Sequence, residues 1–450
     1  MATQLIILAA GQGTRMLSDT PKVLHRIGGA PMFAHALDAG SVLEPGRTVL
    51  VVGHGAEAVE AAAREIDPGI AVAVQKKQLG TAHAVLCAAD ALADAGGDSV
   101  VLYGDTPFIR PETLEAMKAA RQAQDIVVLG FEAADPARYG RLVTEGGTLL
   151  RIVEFKDATP AERDIRLCNS GVVMADTALL FRLAGAVGND NAAGEYYLTD
   201  IVALARAEGL SATVVTCDEA ETMGVNSRAD LAAAEAAFQT RRRTEALAEG
   251  VTLVAPETVF FAHDTWIGRD AVVEPNVVFG SCVTVETGAR IRSFSHLEGC
   301  HVGSGATVGP FARLRPGTEL ANDAHVGNFV EIKNAEIGEG AKVNHLSYIG
   351  DASVGDGTNI GAGTITCNYD GVSKHRTEIG KRVFIGSDTM LVAPVKVGDD
   401  AMTATGSVVT RDVAPGDLAI SRARQENKPG YALRLFEKLK AVKAKRQKGH

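Results

Sequence analysis

A loop with the composition of a phosphate-binding site stands near the start of the chain. Residues 8–16 read LAAGQGTRM after an apolar run, and Lys22 follows six positions later. Glycines let backbone N–H groups approach phosphate oxygens, while Arg15 and Lys22 add positive charge. A dinucleotide fingerprint needs glycine where Met16 stands, and a P-loop needs Gly-Lys-Ser/Thr, which this segment lacks. The loop therefore predicts phosphate binding outside those two classes.

An acidic residue at the end of a predicted strand offers a place for a divalent cation. Asp105 follows the run Ser99–Tyr103, separated from it by one glycine. Mg²⁺ prefers oxygen ligands and takes only one or two from protein when phosphates and water supply the rest. A strand-end aspartate is often a turn or helix-cap residue instead. Its predicted position beside the phosphate loop favours a magnesium ligand.

Two cations and a histidine form a second candidate site. Arg315 and Lys333 are eighteen residues apart, and each directly follows an aliphatic residue. If the fold stacks them, their repulsion would be explained by a bound phosphate, although a solvated pair is the alternative. His345 follows nearby, and an imidazole suits a general base at neutral pH, which Glu331 could orient. A single histidine is more often a surface or packing residue, so the fold must bring these groups together.

The first half of the chain alternates apolar runs with alanine-rich stretches. The runs predict strands at 5–8, 48–52, 70–74, 99–103 and 126–129, and the stretches predict helices at 56–65, 81–94 and 111–123. Repeated strand–helix units predict a Rossmann-like α/β domain with a largely parallel sheet covered on both faces. Ligands bind at the carboxyl ends of such strands, where the phosphate loop and Asp105 fall.

A different period governs the C-terminal half. Aliphatic or aromatic residues recur every six positions from Phe261 to Val397, with one-residue slips, and glycine follows many of them. Glycine suits a short strand that must turn a corner. This pattern resembles the hexapeptide repeat of left-handed parallel β-helices. Residues 359–377 interrupt the repeat, and loops that leave a solenoid often carry function.

Stacking of successive β-helix coils converts spacing into neighbours. Three six-residue units make one coil, so residues eighteen apart lie about 4.8 Å from each other. The two cations would then stack. Once the one-residue slip between Ile332 and Ile337 is counted, a polar column of Arg313, Glu331 and Tyr348 lies beside them. The same rule predicts that Cys282 and Cys300 are adjacent.

The composition changes along the chain predict four segments. We expect an α/β domain at 1–226, a connecting helix at 227–250, a β-helix at 251–430 and a basic helical tail at 431–450. The tail carries a net charge of +6 and the remainder −16. Leu433, Phe436, Leu439 and Val442 recur every three residues, which predicts a tail helix packed on its own protein.

Bulk composition excludes several classes of protein. The 450 residues are 46% hydrophobic and 22% charged, with a net charge of −10. These values are typical of a globular protein of two or three domains, and the acidic body argues against nucleic-acid binding. No apolar run is long enough for a membrane span, so we expect a cytoplasmic protein. The six cysteines form no zinc or redox pair, which predicts reduced thiols.

The phosphate loop, with Pro21-Lys22-Val23-Leu24 after it, closely resembles the signature of sugar-1-phosphate nucleotidyltransferases. The resemblance implies that Lys22 contacts phosphate and that Asp105 and Asn226 are the metal ligands for Mg²⁺. A sugar phosphate can itself attack a nucleoside triphosphate, so positioning and charge neutralisation suffice for catalysis. The nucleotide- and sugar-binding residues it implies are Leu8, Ala9, Ala10, Gly11, Arg15, Lys22, Gln75, Gly80, Thr81, Tyr103, Gly104, Asp105, Gly140, Glu154, Asn169 and Asn226.

Nearly the whole chain resembles the family of bifunctional enzymes that join N-acetylglucosamine-1-phosphate uridyltransferase to glucosamine-1-phosphate N-acetyltransferase. The resemblance implies that His345 is the catalytic base. It assigns the amino-sugar phosphate to Arg315, Lys333, Tyr348 and Asn359, and acetyl-CoA to Ala362, Asn368, Tyr369, Ser387, Thr405 and Arg422. Thr405 stands where we expect alanine, and Ala30 where the family often has lysine.

The family resemblance implies two successive reactions. Acetyl-CoA would acetylate glucosamine 1-phosphate, and UTP would convert the product to UDP-N-acetylglucosamine for peptidoglycan and lipopolysaccharide synthesis. We expect a homotrimer in which a neighbouring subunit completes the acetyl-CoA site. One alternative is a sugar-1-phosphate nucleotidyltransferase with a non-catalytic β-helix. Another is a regulatory subunit with both sites decayed, against which the intact charged residues argue.

Overall fold

The computed structural model describes residues 2–447, which form two compact units. The first unit comprises the chain up to Glu245 together with Phe261–His263. The second comprises Ala246–Phe260 and the chain from Asp264 onward. The division therefore falls inside the predicted connecting helix, and the domain boundaries at 226 and 250 stay a prediction.

A mixed, mainly parallel sheet forms the centre of the first unit. The order is β11-β7-β10-β6-β1-β4-β5, in which β10 runs antiparallel to both neighbours and β8 and β9 form an attached hairpin. The expected α/β architecture and its five predicted strands are confirmed. The strands are β1 (Thr3–Ala9), β2 (Arg26–Ile27), β3 (Ala30–Pro31), β4 (Pro45–Val52), β5 (Ala71–Val74), β6 (Asp98–Tyr103), β7 (Ile126–Glu132), β8 (Arg141–Glu145), β9 (Thr148–Val153), β10 (Leu167–Asp176) and β11 (Ala212–Cys217).

Helices cover both faces of this sheet. Alternate side chains of β1 enter opposite cores, with Leu5 and Ile7 on one face and Ile6 and Leu8 on the other. The predicted helix at 81–94 is shorter than expected, because α3 ends at Leu86 and a separate 3-10 turn follows. The helices are α1 (Met32–Ser41), α2 (Ala56–Ile66), α3 (Thr81–Leu86), α4 (Pro111–Ala120), α5 (Pro160–Arg163), α6 (Thr177–Ala186) and α7 (Asp200–Ala207).

The connecting helix α8 (Arg228–Ala248) packs part of its length on the first unit. Its Phe238 is buried in a cluster with Ile27 and Met32. Gly28 has a φ of +54°, and a Cβ there would lie 2.3 Å from the Phe238 ring. Only glycine therefore fits between the β2–β3 hairpin and α8.

The second unit is a parallel β-helix with three faces, which confirms the hexapeptide repeat. Corner aliphatic residues such as Leu314, Ile332 and Ile349 are fully buried. The first face contains β12 (Thr252–Leu253), β14 (Val272–Val273), β17 (Arg290–Ile291), β20 (Thr307–Val308), β23 (His325–Asn328), β25 (Lys342–His345), β27 (Asn359–Ile360), β30 (Phe384–Ile385), β33 (Met402–Thr403) and β35 (Leu418–Ala419).

The remaining strands form the other two faces, which share two longer strands that turn a corner. The shared strands are β24 (Glu331–Ile337) and β26 (Tyr348–Val354). The second face contains β13 (Trp266–Ile267), β16 (Val283–Val285), β19 (Cys300–Val302), β22 (Thr318–Leu320), β29 (Thr377–Ile379) and β32 (Val395–Val397). The third contains β15 (Val278–Phe279), β18 (His296–Leu297), β21 (Arg313–Leu314), β28 (Ile365–Cys367), β31 (Met390–Val392) and β34 (Val408–Val409).

The expected contact between Cys282 and Cys300 is wrong. Cys300 pairs with Val283, because a one-residue slip shortens the spacing in this coil. Cys282 is exposed at a corner, whereas Cys300 is buried in the β-helix. All six cysteines are free thiols.

The tail forms helix α9 (Tyr431–Gln447), but its expected packing on its own chain is wrong. Every residue of α9 is exposed. A spacing of three drifts by about 60° per step around a helix of 3.6 residues per turn, so Leu433, Phe436, Leu439 and Val442 make no narrow stripe. Residues 448–450 of the predicted tail lie outside the described part. Across residues 2–447, no helix combines the length and apolar character needed to cross a membrane.

Candidate active sites

The phosphate loop and Asp105 meet at the carboxyl edge of strands β1 and β6. Leu8 pairs with Tyr103, and the Gly104 amide donates to the Leu8 carbonyl at 2.9 Å. Ala9 ends β1, so Ala10 and Gly11 begin the loop at this edge. The expected convergence follows from parallel pairing, because adjacent strands end side by side.

Lys22 connects the groups that we expected to bind metal and phosphate. It begins a 3-10 helix after Pro21 and is buried. Its Nζ donates to the Asp105 carboxylate and, at 2.9 Å, to Asn226 Oδ1. The Val225 amide donates to the Asp105 carbonyl at 3.0 Å, which holds the two ligand-bearing segments together.

The oxygens of Asp105 and Asn226 converge on one cationic group, so their chemistry fits a shared magnesium ion. Hard oxygen donors, one charged and one neutral, are the set that Mg²⁺ takes when phosphates and water complete its shell. Within residues 2–447 no group of three or more His, Cys, Asp or Glu side chains could hold a metal by itself. A metal here would therefore depend on bound phosphate oxygens.

Three of the residues that the resemblance matched to nucleotide or sugar binding, Gln75, Gly80 and Thr81, lie beyond β5. Gln75 is buried. Its backbone N–H donates to the Val52 carbonyl at 2.8 Å, and its side-chain Nε2 donates to the Gly80 carbonyl at 3.1 Å. Thr81 accepts a hydrogen bond from the Leu198 amide at 2.9 Å. Arg15 is exposed in the 3-10 turn Thr14–Met16.

The predicted sugar-binding residues come together from three segments. The Asn169 amide donates to the Gly140 carbonyl at 2.9 Å, and a Cβ at Gly140 would lie 3.3 Å from Glu154 Oε1. Burial raises the pKa of Glu154, although a hydrogen bond from Thr199 acts in the opposite direction and lowers it. Burial likewise raises the pKa of Tyr103, which lines the same cavity as Asn169. This arrangement places a carboxyl group, an amide and a phenol close to one another.

Two further side chains reach these sites. Gln78 Nε2 donates to the Ala10 carbonyl at 3.3 Å, and Thr199 Oγ1 donates to Glu154 Oε1 at 3.3 Å. Gln78 lies two residues before Gly80, in the same segment as the predicted residues Gly80 and Thr81. Thr199 carries no motif, and only the packing of α7 against β9 brings it near Glu154.

The cation and polar columns of the β-helix are confirmed by the strand register. Leu314 pairs with Ile332, which places Arg315 beside Lys333 on adjacent coils. Arg313 pairs with Glu331, and Glu331 with Tyr348. Arg313, Glu331 and Tyr348 line an open groove of about 430 Å³. Asn359 lies on a different face, where it pairs with Lys342 and Phe384.

His345 is oriented by a residue that the sequence analysis did not identify. Its Nδ1 lies 2.8 Å from Asn328 Oδ1 on the preceding coil. With Oδ1 as the acceptor, Nδ1 carries the proton and Nε2 is left as the basic nitrogen. The expected partner, Glu331, instead accepts a hydrogen bond from Arg315 at 2.8 Å. The proposed orientation by Glu331 is therefore wrong, because Glu331 belongs to the next face and faces the cations.

Three of the residues matched to acetyl-CoA lie in one column with His345, and a fourth lies beside its end. Val343 pairs with Ile360 and Ile360 with Ile385, so residues two positions later also stack. The Arg422 guanidinium donates to the Thr405 carbonyl at 2.6 Å. Arg422 thus contacts the backbone of Thr405, so having threonine instead of the expected alanine does not remove this hydrogen bond. The column contains His345, Ala362, Ser387 and Thr405, with Arg422 beside its end.

The loop that interrupts the repeat brings a third cation to the site. Asn368 is buried and Tyr369 exposed, and a backbone bridge joins Tyr369 to Lys374. The adjacent ammonium group of Lys374 lowers the pKa of Lys333, as do burial and Arg315. Lys374 stands in a loop without the repeat, so no spacing rule could have identified it.

Comparisons with known proteins match both halves of the chain. A family model for a MobA-like NTP transferase domain matches residues 5–158, and one for the hexapeptide repeat of succinyl-transferase matches residues 376–411. The Bifunctional protein GlmU of Ruegeria sp. (strain TM1040) is 68% identical over 449 residues, covering 100% of both chains. That of Cereibacter sphaeroides (strain ATCC 17025) is 69% identical over 445 residues, covering 99% of this chain and 98% of the relative.

Proposed function

Because this chain belongs to the family of bifunctional GlmU proteins, we propose that each of its two candidate sites performs one of the family's two reactions. The chain is a bifunctional enzyme of UDP-N-acetylglucosamine synthesis. It transfers acetyl from acetyl-CoA to glucosamine 1-phosphate, and uridylyl from UTP to N-acetylglucosamine 1-phosphate. Assigning these reactions to particular residues is the proposal.

We assign uridylyl transfer to the edge of β1 and β6. The observation that carries this assignment is the convergence of Lys22, Asp105 and Asn226. The sugar phosphate oxygen attacks the α-phosphorus of UTP, and the bond to pyrophosphate breaks. Lys22 and Arg15 offset the charge of the triphosphate, while Glu154 and Asn169 orient the sugar.

A magnesium ion would be held by Asp105 and Asn226. When bound it would neutralise charge on the phosphate oxygens. We expect a chelator to stop pyrophosphate release while thiol release from acetyl-CoA continues. Calorimetric titration of the wild type and of Asp105→Ala with Mg²⁺ and a non-hydrolysable UTP analogue tests the ligands without turnover. Equal magnesium binding by both would exclude Asp105 as a ligand.

We assign acetyl transfer to the β-helix surface around His345. Nε2 of His345 accepts a proton from the amine as the amine nitrogen attacks the thioester carbon. The C–S bond breaks, and coenzyme A leaves as the thiol. Arg315, Lys333 and Tyr348 would bind the amino-sugar phosphate, with Asn359 approaching from its own face. The column from Ala362 to Thr405, with Asn368, Tyr369 and Arg422, would bind acetyl-CoA.

A homotrimer would complete the acetyl-CoA site. Ala362, Ser387 and Thr405 form a nearly linear edge along one column, which covers only one side of an extended ligand. A neighbouring subunit would supply the other side, as expected from the hexapeptide resemblance. Light scattering should give three times the chain mass.

A cytoplasmic location also stays a prediction.

Thiol release from acetyl-CoA with glucosamine 1-phosphate tests the second site. We expect release by the wild type and a loss of at least about a hundredfold in His345→Ala. His296→Ala is the matched control, because His296 stacks below Arg313 on the third face and does not lie in the His345 column. Equal release by wild type and His345→Ala would reject His345 as the base and favour a non-catalytic role for this surface.

A further inference from the structure

Asp351 is a buried carboxylate beneath the proposed sugar-phosphate site, and the acetyl-transfer mechanism gives it no role. It lies in β26, three residues after Tyr348, and is only 8% exposed. Its φ is +48°, a left-handed conformation that aspartate tolerates better than most residues. A buried charge of this kind needs partners, so its contacts show what it does.

Three side chains contact Asp351, and two of them, Lys333 and Asn368, belong to the proposed site. Asn334 Nδ2 donates to its Oδ1 at 2.7 Å, and Asn368 Nδ2 donates to its Oδ2. The ammonium group of Lys333 lies 3.9 Å from Oδ1. Burial alone would oppose ionisation, but the two amide hydrogen bonds and the charges of Lys333 and Lys374 together lower the pKa of Asp351.

These contacts connect the regular coils to the inserted loop. Asn368 begins that loop, and its carbonyl accepts a hydrogen bond from the His375 amide at 2.8 Å where the chain returns. Lys374 stands at the returning end, next to Lys333. One carboxylate therefore holds the start of the loop directly and counters the positive charges of Lys333 and Lys374.

We propose that Asp351 is a positioning residue for acetyl transfer, anchoring Asn368 and Lys333 so that the loop residues and the phosphate-binding cations meet the same substrate. This inference deepens the acetyltransferase proposed for this surface and rests on it. Asp351 acts through Asn368 and Lys333, and it does not contact the reacting atoms.

A positioning role and a charge-balancing role for Asp351 predict opposite changes in KM for glucosamine 1-phosphate when Asp351 is replaced by asparagine. Asp351→Asn keeps the size and the left-handed conformation, but an amide accepts from only one of the two donors and lacks the negative charge. If Asp351 only balanced charge, its loss would strengthen phosphate binding and lower KM for glucosamine 1-phosphate. If it positions the loop, KM for glucosamine 1-phosphate rises and kcat/KM falls about ten- to a hundredfold, the size expected for one hydrogen bond to a charged group.

Steady-state thiol release by Asp351→Asn tests the inference in the full-length chain. Asp323→Asn is the matched control, because Asp323 has the same left-handed conformation with a φ of +56° at an exposed corner. We expect Asp323→Asn to match the wild type. Uridylyl transfer is the internal control for folding, and it should be unchanged in both variants.

A double-mutant cycle with Asn368→Ala completes the test. If Asp351 acts in part through Asn368, the two single losses are less than additive in the double variant, because the shared interaction is removed only once. A fall in KM, an unchanged kcat/KM, additive losses, or an equal loss in Asp323→Asn would each overturn the inference. A wild type that releases no thiol would instead refute the acetyltransferase assignment itself.

Discussion

Replacing Asn328 with alanine should impair acetyl transfer by freeing the imidazole of His345. Asn328 Oδ1 and His345 Nδ1 are 2.8 Å apart on neighbouring coils of the first face. The contact selects the tautomer whose Nε2 can accept a proton. Without it, the ring can rotate and can carry its proton on the wrong nitrogen.

The magnitude follows from the geometry of one hydrogen bond between neutral groups. Such a bond contributes about 0.5–1.5 kcal/mol. If that contribution is lost in the transition state, kcat falls about two- to twelvefold. KM for glucosamine 1-phosphate should stay the same, because Arg315 and Lys333 are not disturbed. Asn328→Asp should retain most of the activity, since a carboxylate also accepts from Nδ1.

Thiol release measured at saturating acetyl-CoA separates kcat from KM for this variant. Glu331→Gln is the comparison, because Glu331 accepts from Arg315 and does not contact His345. We expect Glu331→Gln to raise KM for the sugar phosphate more than it lowers kcat. An Asn328→Ala enzyme with wild-type kcat, or a Glu331→Gln enzyme that reproduces the kcat loss, would refute the assignment of Asn328 as the orienting residue.

Three further outcomes concern the first unit. Gly171→Ala should destabilise it by about 2–4 kcal/mol and raise KM for N-acetylglucosamine 1-phosphate, because φ is +91° and a Cβ would lie 2.6 Å from the Tyr103 ring; an unchanged melting temperature would count against this. Burial raises the pKa of Glu154 in the folded state above its ordinary value of about 4.5. The wild type should therefore lose stability relative to Glu154→Gln as the pH rises from about 4.5 through the raised pKa. A difference in melting temperature that does not change with pH would contradict this prediction. Arg228 Nε donates to the Met16 carbonyl at 3.3 Å, and its Nη1 lies 3.2 Å from His25 Nδ1, so it connects the phosphate loop to the segment that follows Lys22. Arg228→Gln should therefore lower kcat/KM for UTP several-fold, whereas Arg64→Gln on α2 should have no effect. Equal kinetics in the wild type and Arg228→Gln would refute this connecting role.

Periodicity explains why so much of the fold could be predicted. The six-residue repeat is imposed by backbone geometry, so it located the corners, and counting the slip placed Arg313, Glu331 and Tyr348 in one column. The predicted contact between Cys282 and Cys300 was wrong because the spacing of eighteen was applied without counting a one-residue slip between these coils. In the first unit the apolar runs located five strands, but they did not predict the antiparallel pairing of β10 with its neighbours.

The unpredicted features depend on side-chain contacts between segments with no fixed spacing. Asn328 pairs with His345 across seventeen residues at a corner, where sequence alone did not distinguish it from Glu331. Lys374 reaches Lys333 only through the fold of the inserted loop. The exposed α9 shows that a three-residue spacing alone does not predict packing.

The central claim is that one chain carries two separate active sites, and complementation between two inactive variants tests it most directly. Asp105→Ala and His345→Ala enzymes would each receive glucosamine 1-phosphate, acetyl-CoA, UTP and Mg²⁺, and UDP-N-acetylglucosamine would be measured. We expect neither variant alone to form the nucleotide sugar, and an equal mixture to form it through release of the acetylated intermediate. Nucleotide sugar from His345→Ala alone, or none from the mixture of two folded variants, would contradict the account.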